Sequence, residues 1–201
     1  ELDPNNRFAR LNLGAAIGAR SLQGYALHGL GMVEEQAGAP ADAERFYLQA
    51  LELRRAIGYR SGIAETLVAL GRLFAGHGRA AEARAHLTEA LALARDIGVA
   101  VPTVLAAAHL AILGDVGQAT ATEAFIANEA HLGVRDKMEA HFLLWRATDH
   151  PLHRAEAHRT ARVRFASSLA AALLDGLSEQ PAKDSERARE CLGPHISRVL
   201  K

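Results

Sequence analysis

Apolar side chains recur along this chain at helical spacing, in segments separated by glycine-containing turns. Residues 43–51 carry them at i, i+3, i+4, i+7 and i+8, and residues 83–91 repeat that pattern with His86 at one position. Residues 20–36 and 60–76 have the same spacing, and a glycine lies near the end of each. Because strong helix formers dominate the composition, the pattern predicts an all-α fold of helix pairs joined by short turns.

The pattern returns at an interval of 40 residues. Ile-Gly occurs at 17–18, 57–58 and 97–98, and Leu-Gly occurs at 30–31 and 70–71. Such self-similarity predicts stacked units, each of which covers the apolar face of its neighbour. Small residues recur at the predicted helix contacts and turns, because a larger side chain there would force the helices apart. These repeat positions are Gly31, Gly38, Ala43, Gly71, Gly78 and Ala83.

These positions resemble the tetratricopeptide repeat family, whose motif has Leu-Gly in the first helix, Gly at the turn and Ala near an aromatic residue in the second. The first full unit has Leu30-Gly31, Gly38, Ala43 and Tyr47 in this order. The resemblance implies a right-handed α-α superhelix, which is a solenoid of helix-turn-helix units. The interval exceeds the usual value of about 34 residues. It is similar to the long-unit repeat tails of multidomain bacterial signalling and regulatory proteins. A HEAT-like array has a comparable period, but the order of the small residues favours the first interpretation.

The units become less regular toward both ends of the chain. Residues 6–18 align with residues 46–58 through Leu11, Leu13, Ala16, Ile17 and Gly18, which predicts the end of a preceding, partial repeat within 1–18. The predicted units within one solenoid domain are full repeats at 19–58 and 59–98, a shortened repeat at 99–133, a degenerate or capping repeat at 134–177, and a linker with a short helix at 178–201.

Charge and composition narrow the classes of partner. The chain has 23 Lys and Arg against 23 Asp and Glu, so its formal net charge is zero. This balance does not indicate a nucleic-acid partner or a membrane surface. The longest apolar candidate, residues 165–177, is interrupted by polar residues and is too short to span a bilayer. Since Cys191 is the single cysteine and cannot form an intrachain disulfide, we expect a cytoplasmic location. A start at Glu1 is typical of a piece of a longer protein.

The sequence contains no motif that carries catalytic chemistry. It has no phosphate-binding loop, nucleophile elbow, HExxH motif or paired-cysteine zinc spacing. We therefore predict a non-catalytic protein without cofactor or metal. Histidines are numerous in the fourth unit, at His141, His150, His153 and His158. Their spacing does not place three on one helix face, which favours helix caps and solvent-facing positions. A small-ligand or metal sensor that uses this unit remains an alternative.

The resemblance also implies a binding surface, because the first helix of each unit lines a concave groove that binds peptides or proteins in this family. The apolar groove residues predict anchors for a partner, and the arginines predict partners for its carboxylates. Packing against a neighbouring helix explains any one of them equally well. The predicted groove residues are Tyr25, His28, Met32, Glu35, Gln36, Glu65, Val68, Arg72, Glu139, Phe142 and Arg146.

We therefore predict a protein-interaction scaffold within a larger bacterial regulator, which binds a peptide, a partner protein or another domain of its parent chain. Chaperone tails are not predicted partners, because the family's clamp for a C-terminal carboxylate uses Lys and Asn where this chain has His28 and Met32. An alternative is a homo-oligomerisation module, in which the exposed flank of the first unit or the segment 165–177 pairs with a second copy.

Overall fold

The computed structural model describes the backbone of residues 4–164 and the side chains of residues 16–157. This part of the chain forms helices and contains no strand, which confirms the all-α prediction. A short 3-10 helix, Glu129–His131, follows α6. The α-helices are α1 (Pro4–Gln36), α2 (Pro40–Ala56), α3 (Arg60–Gly76), α4 (Ala80–Ile97), α5 (Ala100–Ile112), α6 (Gln118–Asn128), α7 (Val134–Thr148) and α8 (Pro151–Arg164).

Left-handed glycines end the helices of the two full units. Gly38, Gly58, Gly78 and Gly98 have φ values of 76°, 68°, 74° and 69°. Glycine adopts this conformation without the steric cost that a Cβ atom brings, so these positions set where each helix ends. The recurring Ile-Gly pairs at 57–58 and 97–98 thus lie at helix ends. Because the four glycines follow one another every 20 residues, a helix pair repeats every 40.

The core is a row of buried side chains that passes from one helix pair to the next. Consecutive helices pack on each other from α1 to α8, and α5 also packs on α3 and α7. α3 and α5 lie between neighbours on several sides, and most of their residues are buried. The largest apolar or aromatic side chains with almost no exposure include Tyr47, Leu67, Leu70, Leu87, Leu110 and Leu144.

Two glycines inside helices leave room for a large side chain of the second helix in the same unit. A Cβ atom on Gly31 would lie 2.6 Å from the Tyr47 ring, and one on Gly71 would lie 2.4 Å from Cγ of Leu87. Tyr47 and Leu87 are themselves fully buried. A side chain of the facing helix therefore fills the space that a Cβ atom would occupy, and the two helices of each pair pack closely.

The repeat boundary predicted at Gly18 does not coincide with the end of a helix. α1 continues through Ile17 and Gly18, so the described part of residues 1–18 is the first half of one 33-residue helix. At Gly58, by contrast, the Tyr59 amide donates to the carbonyl of Arg54, whose buried side chain bonds to α3. At Gly58 the turn therefore comes with a contact between α2 and the following helix, α3. At Gly18 the neighbouring alanines, which favour helix, permit continuation.

The helices of the third unit are shorter than those of the first two. α5 and α6 have 13 and 11 residues, whereas α2 and α4 have 17 and 18. Within the fourth unit, α7 ends before Asp149, which adopts a left-handed conformation with a φ of 55°, and α8 begins at Pro151. The predictions for 165–177 and 178–201 concern residues outside the part that the structure describes.

Candidate functional site

The first helices of the four helix pairs, α1, α3, α5 and α7, share one side of the molecule. α5 contacts both α3 and α7, and ion pairs connect α3 to α1 and to α7. We call this side the groove face. Ion pairs such as Arg55–Glu89 connect the second helices α2 and α4. The repeat thus separates the two sides, as stacked helix pairs require.

Arg72 occupies the centre of the groove face between two carboxylates. Its Nε and Nη2 atoms donate to the two oxygens of Glu35 at 3.1 and 2.7 Å, which is a bidentate pair. Its Nη1 atom lies 3.7 Å from the Glu139 carboxylate on α7. Glu35 also accepts a hydrogen bond from the Tyr47 hydroxyl at 2.8 Å. Although burial opposes its charge, the contact with Glu35 raises the pKa of Arg72 above its ordinary value.

This arrangement corrects the predicted role of Arg72. The sequence predicts a guanidinium that is open to the carboxylates of a partner. In the structure, however, the Nε and Nη2 atoms of Arg72 already donate to Glu35. The contact with Glu139 is longer and uses the remaining nitrogen. A carboxylate from a partner would therefore reach Arg72 by replacing Glu139 rather than Glu35.

His109 on α5 lies next to this cluster and was not among the predicted groove residues. Only 8% of it is exposed, and its Nε2 atom has no hydrogen-bond partner. Burial, together with the charges of Arg72 and Arg146, lowers the pKa of His109 to about 3. Glu35, Arg72, His109 and Arg146 follow one another every 37 residues. The 37-residue interval, rather than the 40-residue repeat, therefore identifies His109.

A second cluster surrounds Arg54 of α2, whose side chain is 1% exposed. Its Nη1 atom donates to the Gly62 carbonyl at 2.7 Å and to the Thr66 hydroxyl at 2.6 Å. The Glu65 carboxylate lies 3.6 Å from the same atom, and Glu65 itself is exposed. Burial raises the pKa of Glu65 although the charge of Arg54 opposes this shift. The buried guanidinium thus holds α2 against α3.

Two of the predicted groove residues belong to this Arg54 cluster through α1. The guanidinium of Arg54 lies 5.2 Å from the Tyr25 ring centroid, and the Tyr25 hydroxyl is hydrogen-bonded to that of Tyr59. His28 Nδ1 lies 3.5 Å from the Thr66 hydroxyl. Burial, and then the charge of Arg54, lowers the pKa of His28 to about 4. Tyr25, His28 and Glu65 therefore lie around Arg54. His28 also borders the Arg72 cluster, because its ring centroid is 5.3 Å from that of Tyr47.

The remaining predicted residues differ in exposure. Val68 is 7% exposed, so the structure contradicts its role as an accessible anchor and places it in the core. Met32 and Phe142 are partly buried and pack against the core, which leaves part of each side chain accessible. Gln36 and Arg146 are exposed. The partly accessible side chains of Met32 and Phe142, both predicted anchors, thus lie on the face that carries Arg72.

The histidines of the fourth unit come closer together than their spacing predicts. The Nδ1 atoms of His141 and His153 are 3.1 Å apart, and the His150 ring lies 5.9 Å from that of His153. Burial and these two neighbours lower the pKa of His153. Across the described residues, however, no group of three or more His, Cys, Asp or Glu side chains is arranged to hold a metal ion. The side chain of His158 lies outside the described part.

Comparisons with known proteins support the repeat. Residues 22–96 match the family model described as tetratricopeptide repeat. This match runs from within α1 nearly to the end of α4, which are the helices of the two full units. Neither the comparison with curated proteins nor that with solved structures gives a match. Among the described residues, no helix combines the length and apolar character needed to cross a bilayer.

Proposed function

Because residues 22–96 are tetratricopeptide repeats, we propose that this chain is a non-catalytic scaffold that binds a peptide or protein segment on its groove face. Repeats of this family generally mediate protein–protein interactions. The observation that carries the proposal is the composition of the groove face. Met32 and Phe142 offer partly accessible apolar surface on the same side as Arg72, and anchors beside charged groups are typical of recognition surfaces.

The charges of the groove face suit a partner that carries both signs. Arg72 and Arg146 are balanced by Glu35 and Glu139, so the face has no strong field of one sign. The two glutamates would repel a polyacidic segment, and the two arginines would repel a polybasic one. We propose a segment with one or two apolar anchors and a carboxylate that replaces Glu139 on Arg72. Glu139 is the weaker of the two existing contacts, because its distance is 3.7 Å against 2.7 Å for Glu35.

A peptide selection followed by titration tests this function. Peptides selected from a display library on the purified chain would be labelled and titrated by fluorescence anisotropy. Phe142→Ala and Met32→Ala should each weaken binding about tenfold, because each removes an anchor. Leu48→Ala is the matched control, since Leu48 is 42% exposed on α2, away from the groove face. Binding that both groove substitutions leave unchanged would overturn the site.

We also propose that the partner is a protein, or another domain of the parent chain, in the cytoplasm of a bacterium. The single cysteine supports the cytoplasmic location, and the zero net charge supports a protein rather than a nucleic-acid partner. The 40-residue unit supports a role within a larger regulator, because such long units resemble the tails of bacterial regulatory proteins. Expression of the parent reading frame with and without this segment, followed by measurement of its effector activity, tests the assignment. Equal activity and equal partner binding would contradict it.

A further inference from the structure

One side of α1 exposes apolar side chains to water. Leu22 is 72% exposed, Leu30 44% and Val33 58%, and Ala26 between them is also exposed. These four residues occupy positions i, i+4, i+8 and i+11, so they lie on one side of the helix. We call them the α1 flank. Such a continuous apolar strip on a helix is typical of a surface that another element covers.

The repeat shows what kind of element covers this position. The residues 40 positions later on α3 are Gly62, Thr66, Leu70 and Leu73, and all are buried. α3 and α1 each pack on the second helix of their own unit, but α3 additionally packs on α2, the second helix of the preceding unit. The α1 flank therefore corresponds to the surface that a preceding second helix covers.

The sequence just before the flank has the character of such a helix. Residues 6–18 align with residues 46–58, the end of α2 and its turn, with identical residues at five positions, Leu11, Leu13, Ala16, Ile17 and Gly18. At Gly58 the chain turns back so that α2 packs on α3. At Gly18 the helix continues instead, and residues 4–18 extend straight away from the α1 flank of their own chain.

We propose that two copies of this chain exchange these segments. Residues 4–18 of each copy lie antiparallel over the α1 flank of the other, in the position that α2 occupies on α3. The lengths agree, because 15 helical residues extend about 22 Å and the flank from Leu22 to Val33 extends about 17 Å. A two-fold axis near Gly18 makes both contacts identical, and such an exchange gives a closed dimer without new elements.

The oligomeric state of the full chain tests the exchange. Light scattering coupled to gel filtration, over a series of concentrations, should show a dimer that dissociates on dilution. Leu22→Glu should give a monomer, because it places a charge in the apolar contact. Ile126→Glu is the matched control, since Ile126 is 67% exposed on α6, and this variant should remain a dimer. A wild-type chain that is monomeric at every concentration, or a Leu22→Glu dimer, would overturn the proposal.

A second variant tests residues 18–20, which we call the hinge because the chain continues straight or turns back there. Arg20→Pro changes the sequence at 18–20 to Gly-Ala-Pro, which the chain already uses at Gly38, Ala39 and Pro40 to end α1 and begin α2. Proline prevents the straight helix but suits the first turn of a new one. We expect a monomer in which residues 4–18 turn back onto their own flank, with helical content retained by circular dichroism. A persistent dimer would overturn the proposal.

If the Arg20→Pro variant does not fold, Gly18→Ala provides a second test of whether the chain turns back at Gly18. A Cβ atom on Gly18 meets nothing within 4 Å, so the straight helix accepts alanine. The turned-back monomer needs a left-handed residue there, which disfavours alanine. The dimer dissociation constant should therefore fall about tenfold or more, and an unchanged constant would overturn the proposal. Peptide binding to the groove face should be unaffected, which separates this result from the proposed function.

Discussion

Substitution of Gly71 by alanine tests whether close packing of each helix pair depends on the absent side chain. The new Cβ atom would lie 2.4 Å from Cγ and 2.7 Å from Cδ2 of Leu87, whereas carbon atoms normally pack about 3.5–4.0 Å apart. Because Leu87 is fully buried, relief requires a shift of α4 or a strained rotamer. Overpacking of this kind costs about 1–3 kcal/mol. The helix propensity of alanine offsets about 1 kcal/mol of this cost. We expect a net loss of up to about 2 kcal/mol in the free energy of unfolding.

Urea denaturation followed by circular dichroism measures this difference against a control in the same helix. A Cβ atom on Gly76, also in α3, meets nothing within 4 Å. Gly76→Ala should therefore stabilise the chain by about 0.5–1 kcal/mol. In a Leu87→Ala background the space near Gly71 is empty, so Gly71→Ala should become neutral or stabilising. Equal effects of Gly71→Ala and Gly76→Ala in the wild-type background would refute the packing explanation.

Two further predictions concern the groove face. Glu35→Gln should lower the free energy of unfolding by about 1–2 kcal/mol, because it removes the charge from the fork on Arg72, whereas Glu139→Gln should change it by less than about 0.5 kcal/mol. Urea denaturation of both variants checks this order, and a larger effect of Glu139→Gln would contradict it. Stability should also fall as the pH drops below 6.5, the ordinary pKa of histidine, because His28 and His109 have folded pKa values of about 4 and 3 and only the unfolded chain gains their protons. Near pH 5 the two histidines should contribute a slope of about 2–3 kcal/mol per pH unit. In urea titrations from pH 7 to 5, His109→Leu should reduce the slope, and an unchanged slope would count against the buried neutral histidine.

Local sequence predicts the fold of the full units because the decisive residues act locally. Gly38, Gly58 and Gly78 adopt the left-handed conformation that ends a helix, and their order in the repeat is visible in the sequence. Gly18 shows the limit of that reasoning. It has the same preceding residue as Gly58, yet it continues a helix, because at Gly58 the turn accompanies packing of α2 against α3. The local signal permits a turn, and the packing partner decides whether it forms.

The groove face is less predictable because its contacts join helices that are distant in sequence. Arg72 belongs to a predicted groove position, but its bonds to Glu35 and Glu139 come from α1 and α7. The 40-residue repeat does not bring these partners into register. His109 illustrates the same point. It lies 37 residues after Arg72, and this interval, not the 40-residue repeat, relates neighbouring positions on successive first helices. The repeat therefore predicts which helices form the face but not which side chains pair on it.

Chemical-shift mapping with a selected peptide tests most directly whether the groove face is the binding surface. The ¹⁵N–¹H spectrum of the labelled chain would be recorded during a titration with the unlabelled peptide. We expect the amide shifts to change on α1 from residue 20 onward and on α3, α5 and α7, with the largest changes near Met32, Arg72 and Phe142. Changes confined to α2, α4 and α6 would place the partner on the opposite side and contradict the proposed function.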